Sequence, residues 1–185
     1  MANGFESFEF APILHRHTGT DTPKIRFSDL EGFSGWQLIR NGIFTNSVDI
    51  TGLNGNIDKV WLLITRLRNT TSFNPLIRFN GDTAGNYLFS YHRSYISGGT
   101  NYHDYGNLTN QTGFYFAYSS FNEFLANTLI LSESNQIRMI ISDFWGYTNS
   151  SNFGQGQVRG AWINTVDNIT TINLVTGAIT FGEYW

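Results

Sequence analysis

The sequence predicts an all-β fold, a jelly-roll-like β-sandwich preceded by an extended N-terminal arm. Three observations lead there. From Gly35 onward the chain breaks into short runs that alternate apolar and polar residues, the two-residue period of a strand with one buried face. Clusters of Gly, Asn, Asp and Ser separate the runs at fairly regular intervals and supply turn chemistry. No segment sustains a 3.6-residue apolar period with caps; "FNEFLAN" (121–127) allows at most a short turn of helix.

Residues 1–34 read as an extended arm or collar, since they hold Pro12, Pro23 and little periodicity, and residues 35–185 as the sandwich. The run "SVDITGL" leads into "DKVWLLITRLRN". There Val60, Leu62 and Ile64 share one face and Trp61, Leu63 and Thr65 the other, as expected of a strand in the middle of a sandwich with both faces apolar. Next come "PLIRFNGD", the turn "TAGN" and "YLFSYHRSYIS", which together predict a hairpin. In that turn Asn80 and Gly81 tolerate left-handed backbone, Asp82 can accept backbone N–H groups, and Arg78 is placed to pair with Asp82. The runs "GFYFAYSS", "NTLILSES", "QIRMIISDFW", "QVRGAWIN", "NITTINLV" and "AITFGEYW" complete the series. The expected core comprises Val60, Leu62, Ile64, Ile77, Phe79, Ile140, Ile172 and Leu174.

Composition narrows the function. The chain has 185 residues, 41% of them hydrophobic, with 16 Phe, 9 Tyr and 5 Trp, enough apolar side chain for a sizeable core. Charged residues are 14%, and Asn, Gly, Ser and Thr supply most of the polar surface instead. Net charge is −3, and Lys24 and Lys59 are the only lysines, so no basic cluster offers to replace the counterions of a nucleic acid. No apolar run reaches the roughly 18 residues of a membrane span, so no membrane insertion is expected. The start "MANGFESFEF" lacks a basic region and an apolar stretch, so no signal peptide is expected. Without cysteine there is no disulfide.

No catalytic residue is expected. The 14 acids sit mostly at turns, and no GxSxG, HExxH, phosphate-loop or dinucleotide pattern occurs. Two aromatic stretches stand out. "YHRSYISGGTNYHDYG" (91–106) holds Tyr102, His103 and Tyr105 near a Gly-rich loop, and "DFWGYTNSSNFGQG" (143–156) holds Trp145, Tyr147 and Phe153 in a second loop-like region. Flat rings stack on the C–H faces of sugars while neighbouring amides and carboxylates take the hydroxyls, so Tyr102, His103, Tyr105, Trp145 and Tyr147 are candidate glycan-binding residues. The same rings also suit a subunit interface. His15 and His17 are one residue apart, so in an extended arm both imidazoles point the same way. One chain offers two ligands; three chains around a threefold axis offer six, enough for an octahedral ion.

Two segments resemble known proteins. "HRHTGTDTPKIRFSDLEG" (15–32) resembles a segment of tailed-phage tail-fibre and virion proteins with the pattern HxHxGxDxPKI, matched by His15, His17, Gly19, Asp21, Pro23, Lys24 and Ile25. "LIRFNGDTAGNYLFSYHRSY" (76–95) resembles the RFNGDT hairpin of phage minor structural proteins, and "GAWINTVDNITTINLVTGAITFGEYW" follows the order of their C-terminal strands, with Gly182 and Glu183 departing from the usual residues. The resemblance implies a non-enzymatic virion structural protein of a tailed virus, a tail fibre or an exposed decoration and adsorption module. It implies a homotrimer assembled in the host cytoplasm, in contact with other virion proteins and with host-surface glycan. It also implies one divalent transition metal (Fe, Zn or Ni) per trimer, held by His15 and His17. Two alternatives stand beside it: a carbohydrate-binding receptor-recognition module, and a self-assembling extracellular filament subunit that donates "FESFEFAPIL" to a neighbour's sheet.

Overall fold

The computed structural model describes residues 39–68, 74–117, 122–149, 152–177 and 179–185. The arm with His15 and His17 lies outside them, and the sandwich unit runs from Ile39 to Trp185. Twelve strands and no helix occur among the described residues. They are β1 (Gly42–Phe44), β2 (Val48–Thr51), β3 (Val60–Arg68), β4 (Leu76–Phe79), β5 (Tyr87–Ser97) and β6 (Thr100–Gln111), then β7 (Phe114–Tyr115), β8 (Glu123–Leu131), β9 (Arg138–Asn149), β10 (Asn152–Trp162), β11 (Thr171–Val175) and β12 (Phe181–Tyr184). An eight-stranded sheet has the order β1-β12-β3-β8-β9-β10-β5-β6, and a four-stranded sheet the order β2-β11-β4-β7. Every pairing is antiparallel. This is the expected all-β sandwich.

One core joins the two sheets. The smaller sheet contributes Ile50, Ile77, Phe79, Ile172 and Leu174, and the larger Trp61, Leu63, Leu67, Phe124, Ile140, Phe144 and Trp162. Ile77, Phe79, Ile140, Ile172 and Leu174 are buried as the alternation predicts. Val60, Leu62 and Ile64 are not. They face outward, Leu62 42% exposed, while Trp61, Leu63, Thr65 and Leu67 are buried. The two-residue period explains the correction. The phase that contains Val60, Leu62 and Ile64 also contains Arg66 and Arg68, and burying two guanidinium groups costs far more than exposing three aliphatic side chains.

The expected hairpin after β4 is instead a corner between sheets. β4 pairs with β11 and β7, whereas β5 pairs with β10 and β6. Asn80 and Gly81 take φ of 53° and 71°, the left-handed region their types tolerate. Asn80 Oδ1 accepts the Thr170 and Thr171 amides at 2.9 and 3.1 Å, and the Gly81 amide donates to Asn173 Oδ1 at 2.7 Å, which ties the corner to β11. Arg78 does not pair with Asp82; its Nε donates to the Thr112 carbonyl at 2.8 Å. The Asp82 carboxylate accepts the Ala84 amide (2.8 Å), Asn86 Nδ2 (2.8 Å) and the Trp162 indole N–H (2.6 Å). Partial burial pushes the Asp82 carboxyl up, but these three donors outweigh it and hold it below the ordinary carboxylate range. Beneath the corner the Tyr87 hydroxyl accepts the Phe79 amide at 2.8 Å, and burial drives its pKa upward.

"FNEFLAN" forms no helical turn, since Glu123–Asn127 belong to β8. The region of Trp145, Tyr147 and Phe153 is not a loop either, because all three residues sit on β9 and β10. The glycines there read as turn signals but serve packing. A Cβ on Gly156 would lie 2.5 Å from Phe144 Cζ, and one on Gly160 would strike the Leu88 carbonyl and Phe89. The Phe144 ring and the neighbouring β5 backbone occupy the space that side chains at these positions would need.

Candidate functional site

Each strand of the larger sheet shows alternate residues to its outer face, and the antiparallel registers align them in rows. One row runs Glu183, Arg66, Leu125, Trp145, Gln155, Ser94, His103. The next toward the sheet middle runs Ile64, Asn127, Asp143, Gln157, His92, Tyr105. On the other side lie Phe181, Arg68, Glu123, Tyr147 and Phe153. The structure therefore brings four of the five glycan candidates, His103, Tyr105, Trp145 and Tyr147, to one face. Trp145 and His103 stand three strand spacings apart, about 14 Å.

Tyr102 is separated from them. It pairs in register with Tyr95, on the opposite face of the β5–β6 hairpin, and stacks on that ring at 5.0 Å with 14° between planes. Arg93 and Asp104 share this inner side, joined by Nη2–Oδ2 at 2.8 Å, and the Arg93 guanidinium lies over the Tyr95 ring. Gly98 and Gly99 close the hairpin with positive φ, the two-residue Gly-Gly turn that matches strand twist.

On the outer face Glu123 orients the aromatic edge. Its carboxylate accepts Arg66 Nη2 at 2.6 Å, Arg68 Nε at 3.1 Å and the Tyr147 hydroxyl at 2.7 Å. Burial alone would raise the Glu123 carboxyl; donation from Tyr147, Arg66 and Arg68 outweighs it and holds the group below its ordinary range. The same hydrogen bond raises the Tyr147 phenol, and the Glu123 contact raises Arg66. The Arg66 guanidinium also covers the Phe181 ring at 5.9 Å. In the middle row Gln157 Nε2 donates to Asp143 Oδ1 at 2.6 Å. His103 Nδ1 lies 2.9 Å from Ser94 Oγ, which fixes the ring's orientation.

Around Trp145, itself 38% exposed, the face thus offers rings to stack on, amides to donate and accept, a carboxylate to accept, and the His103 imidazole held by Ser94. Sequence reasoning missed Asn127, Asp143, Gln155, Gln157 and His92 as members of this surface. The signal was present: in "FGQGQ" (153–157) every second residue carries a polar or aromatic side chain and the intervening ones are glycine. Among the described residues no group of three or more His, Asp or Glu side chains is arranged to hold a metal ion. The His15 and His17 site falls outside them. Comparison with family models, with curated proteins and with solved structures returns no match.

Proposed function

We propose that this chain is a non-enzymatic virion structural protein of a tailed virus, a homotrimer whose sandwich is the exposed adsorption module and binds a neutral host-surface glycan on the outer face of its larger sheet. The observation that carries the glycan reading is the convergence of Trp145, Tyr147, His103 and Tyr105 with Asn127, Asp143 and Gln157 on that one face. A flat aromatic surface beside amide and carboxylate groups matches a pyranose, which has apolar C–H faces and a hydroxyl rim. Neutral sugars fit better than acidic ones, because Asp143, whose hydrogen bond is to the neutral Gln157 amide, would repel a carboxylate or sulfate. The virion assignment draws on the two sequence segments that resemble tailed-phage proteins.

The polar groups serve positioning. Glu123 is committed to Arg66, Arg68 and Tyr147, and Asp143 to Gln157, so neither carboxylate stands free as a paired acid or base. The test is a glycan array probed with purified full-length chain. Binding to neutral glycans that disappears in Trp145→Ala supports the reading. Binding that survives this change, or glycan cleavage over time, rejects it.

A further inference from the structure

The aromatic and polar side chains of the outer face have a direction. Trp145 on β9 and Tyr105 on β6 stand three strand spacings and one row apart, about 16 Å along the sheet. Between them lie Gln155 and Gln157 on β10 and Ser94 and His92 on β5, hydrogen-bonding side chains with no aliphatic one among them. From Trp145 this polar lane leads toward β6. On the β8 side the row passes instead to Leu125, and then to Arg66, which is held by Glu123. Along β9, past Asp143, the next outward residue is Ile141, flanked by Leu129 and Arg159.

We infer that this lane takes a linear neutral oligosaccharide of about four or more pyranoses, laid across the strands as a single chain from Trp145 to Tyr105. The inference rests on the glycan reading above and adds to it a length, a direction and a second stacking ring.

Length follows from the spacing. At roughly 5 Å of advance per pyranose in an extended chain, about 16 Å separates the first ring from the fourth. Trp145 is 38% exposed and Tyr105 81%, so each offers ring area on an open face. A sugar stacked on one such ring alone is held weakly. Joining the two contacts through one chain makes the second intramolecular, which raises affinity without any new contact. The amides, hydroxyl and imidazole of the lane then meet the hydroxyls of the middle units.

Sheet twist selects a single chain over an insoluble polymer surface. Neighbouring strands turn by roughly 20–25°, so the face rotates by roughly 60–75° between β9 and β6. A rigid, planar stack of sugar chains meets Trp145 or Tyr105 but not both. A lone chain rotates at each glycosidic bond and follows the turn.

The test is calorimetric titration of the full-length chain with free gluco-, manno- and galacto-oligosaccharides, graded from disaccharide to hexasaccharide. In a series that binds, affinity should rise at least about tenfold from disaccharide to tetrasaccharide and then level off. Tyr105→Ala, at an exposed ring, should lower hexasaccharide affinity about tenfold, to the disaccharide level. Equal affinity for disaccharide and hexasaccharide, or hexasaccharide affinity unaltered by Tyr105→Ala, overturns the two-ended site and leaves the glycan reading at Trp145 standing. Adsorption to microcrystalline cellulose without binding of any soluble chain overturns it as well. A protein that binds no neutral sugar, free or on the array, overturns both.

Discussion

Leu62 and Leu63 are chemically identical neighbours that face opposite sides of β3, so substitution reads their environments directly. Leu63→Ala should cost about 2–5 kcal/mol, transfer loss plus cavity, because the side chain is buried in the inter-sheet core. Leu62→Ala in dilute protein should cost under about 1 kcal/mol, since the side chain already meets water. Denaturant titration of the two variants checks the assignment of faces. Asp82 carries a different kind of stability. It satisfies the indole N–H of Trp162, whose side chain is fully buried, together with two donors of its own turn. Asp82→Ala removes all three acceptor contacts and should cost about 2–3 kcal/mol. Asp82 and Glu123 both titrate lower in the folded chain than ordinary carboxyls do. On acidification the unfolded chain therefore takes up protons first. Their contribution is complete above the ordinary carboxylate range, roughly pH 4–5, and is lost as pH falls through it and on through the lower folded values. Thermal midpoints measured from pH 7 down to 3 should decline only over that lower stretch, and the decline should be shallower in Asp82→Asn.

At the scale of elements, β9 and β10 show how packing decides what a glycine means. Gly160→Ala should destabilise by at least about 1–3 kcal/mol, because its Cβ would press on the Leu88 backbone and on Phe89, neither of which is the free end of a flexible side chain. An unchanged unfolding midpoint in this variant would remove the packing explanation for the strand glycines. The same elements show what was legible beforehand. Alternation in "PLIRFNGD" and "NITTINLV" placed Ile77, Phe79, Ile172 and Leu174 in the core, because each of those strands has one clearly apolar face. Alternation failed in β3, where both faces begin apolar and only Arg66 and Arg68 at the far end break the tie. Local turn chemistry identified the Asn80–Gly81 turn, but which sheet each flanking strand joins depends on partners distant in sequence, β11 for β4 and β10 for β5. The aromatic stretches were visible as composition. Their common face was not, because it depends on which strands lie side by side and in what register; Tyr102 falls on the opposite side by alternation along β6, one residue from His103 and three from Tyr105.

For the whole molecule, the proposed function draws on the segment with His15 and His17 in the sequence and on the aromatic-polar outer face of the larger sheet. The arm adds its own prediction. Protein purified without an affinity tag should carry about one divalent transition-metal ion per three chains by elemental analysis, absent from the double variant His15→Ala, His17→Ala. Imidazole binds metal only when neutral, so acidification should weaken binding of the ion. The central claim is that one face of the larger sheet meets the glycan, and Tyr102 on the other face makes it testable within a single protein. Affinity electrophoresis through gels containing a neutral polysaccharide retained by the wild-type chain compares Trp145→Ala with Tyr102→Ala, both checked for an unchanged thermal midpoint. The account predicts that Trp145→Ala abolishes retardation while Tyr102→Ala migrates as the wild type does. Equal loss in both variants, or loss confined to Tyr102→Ala, would contradict it.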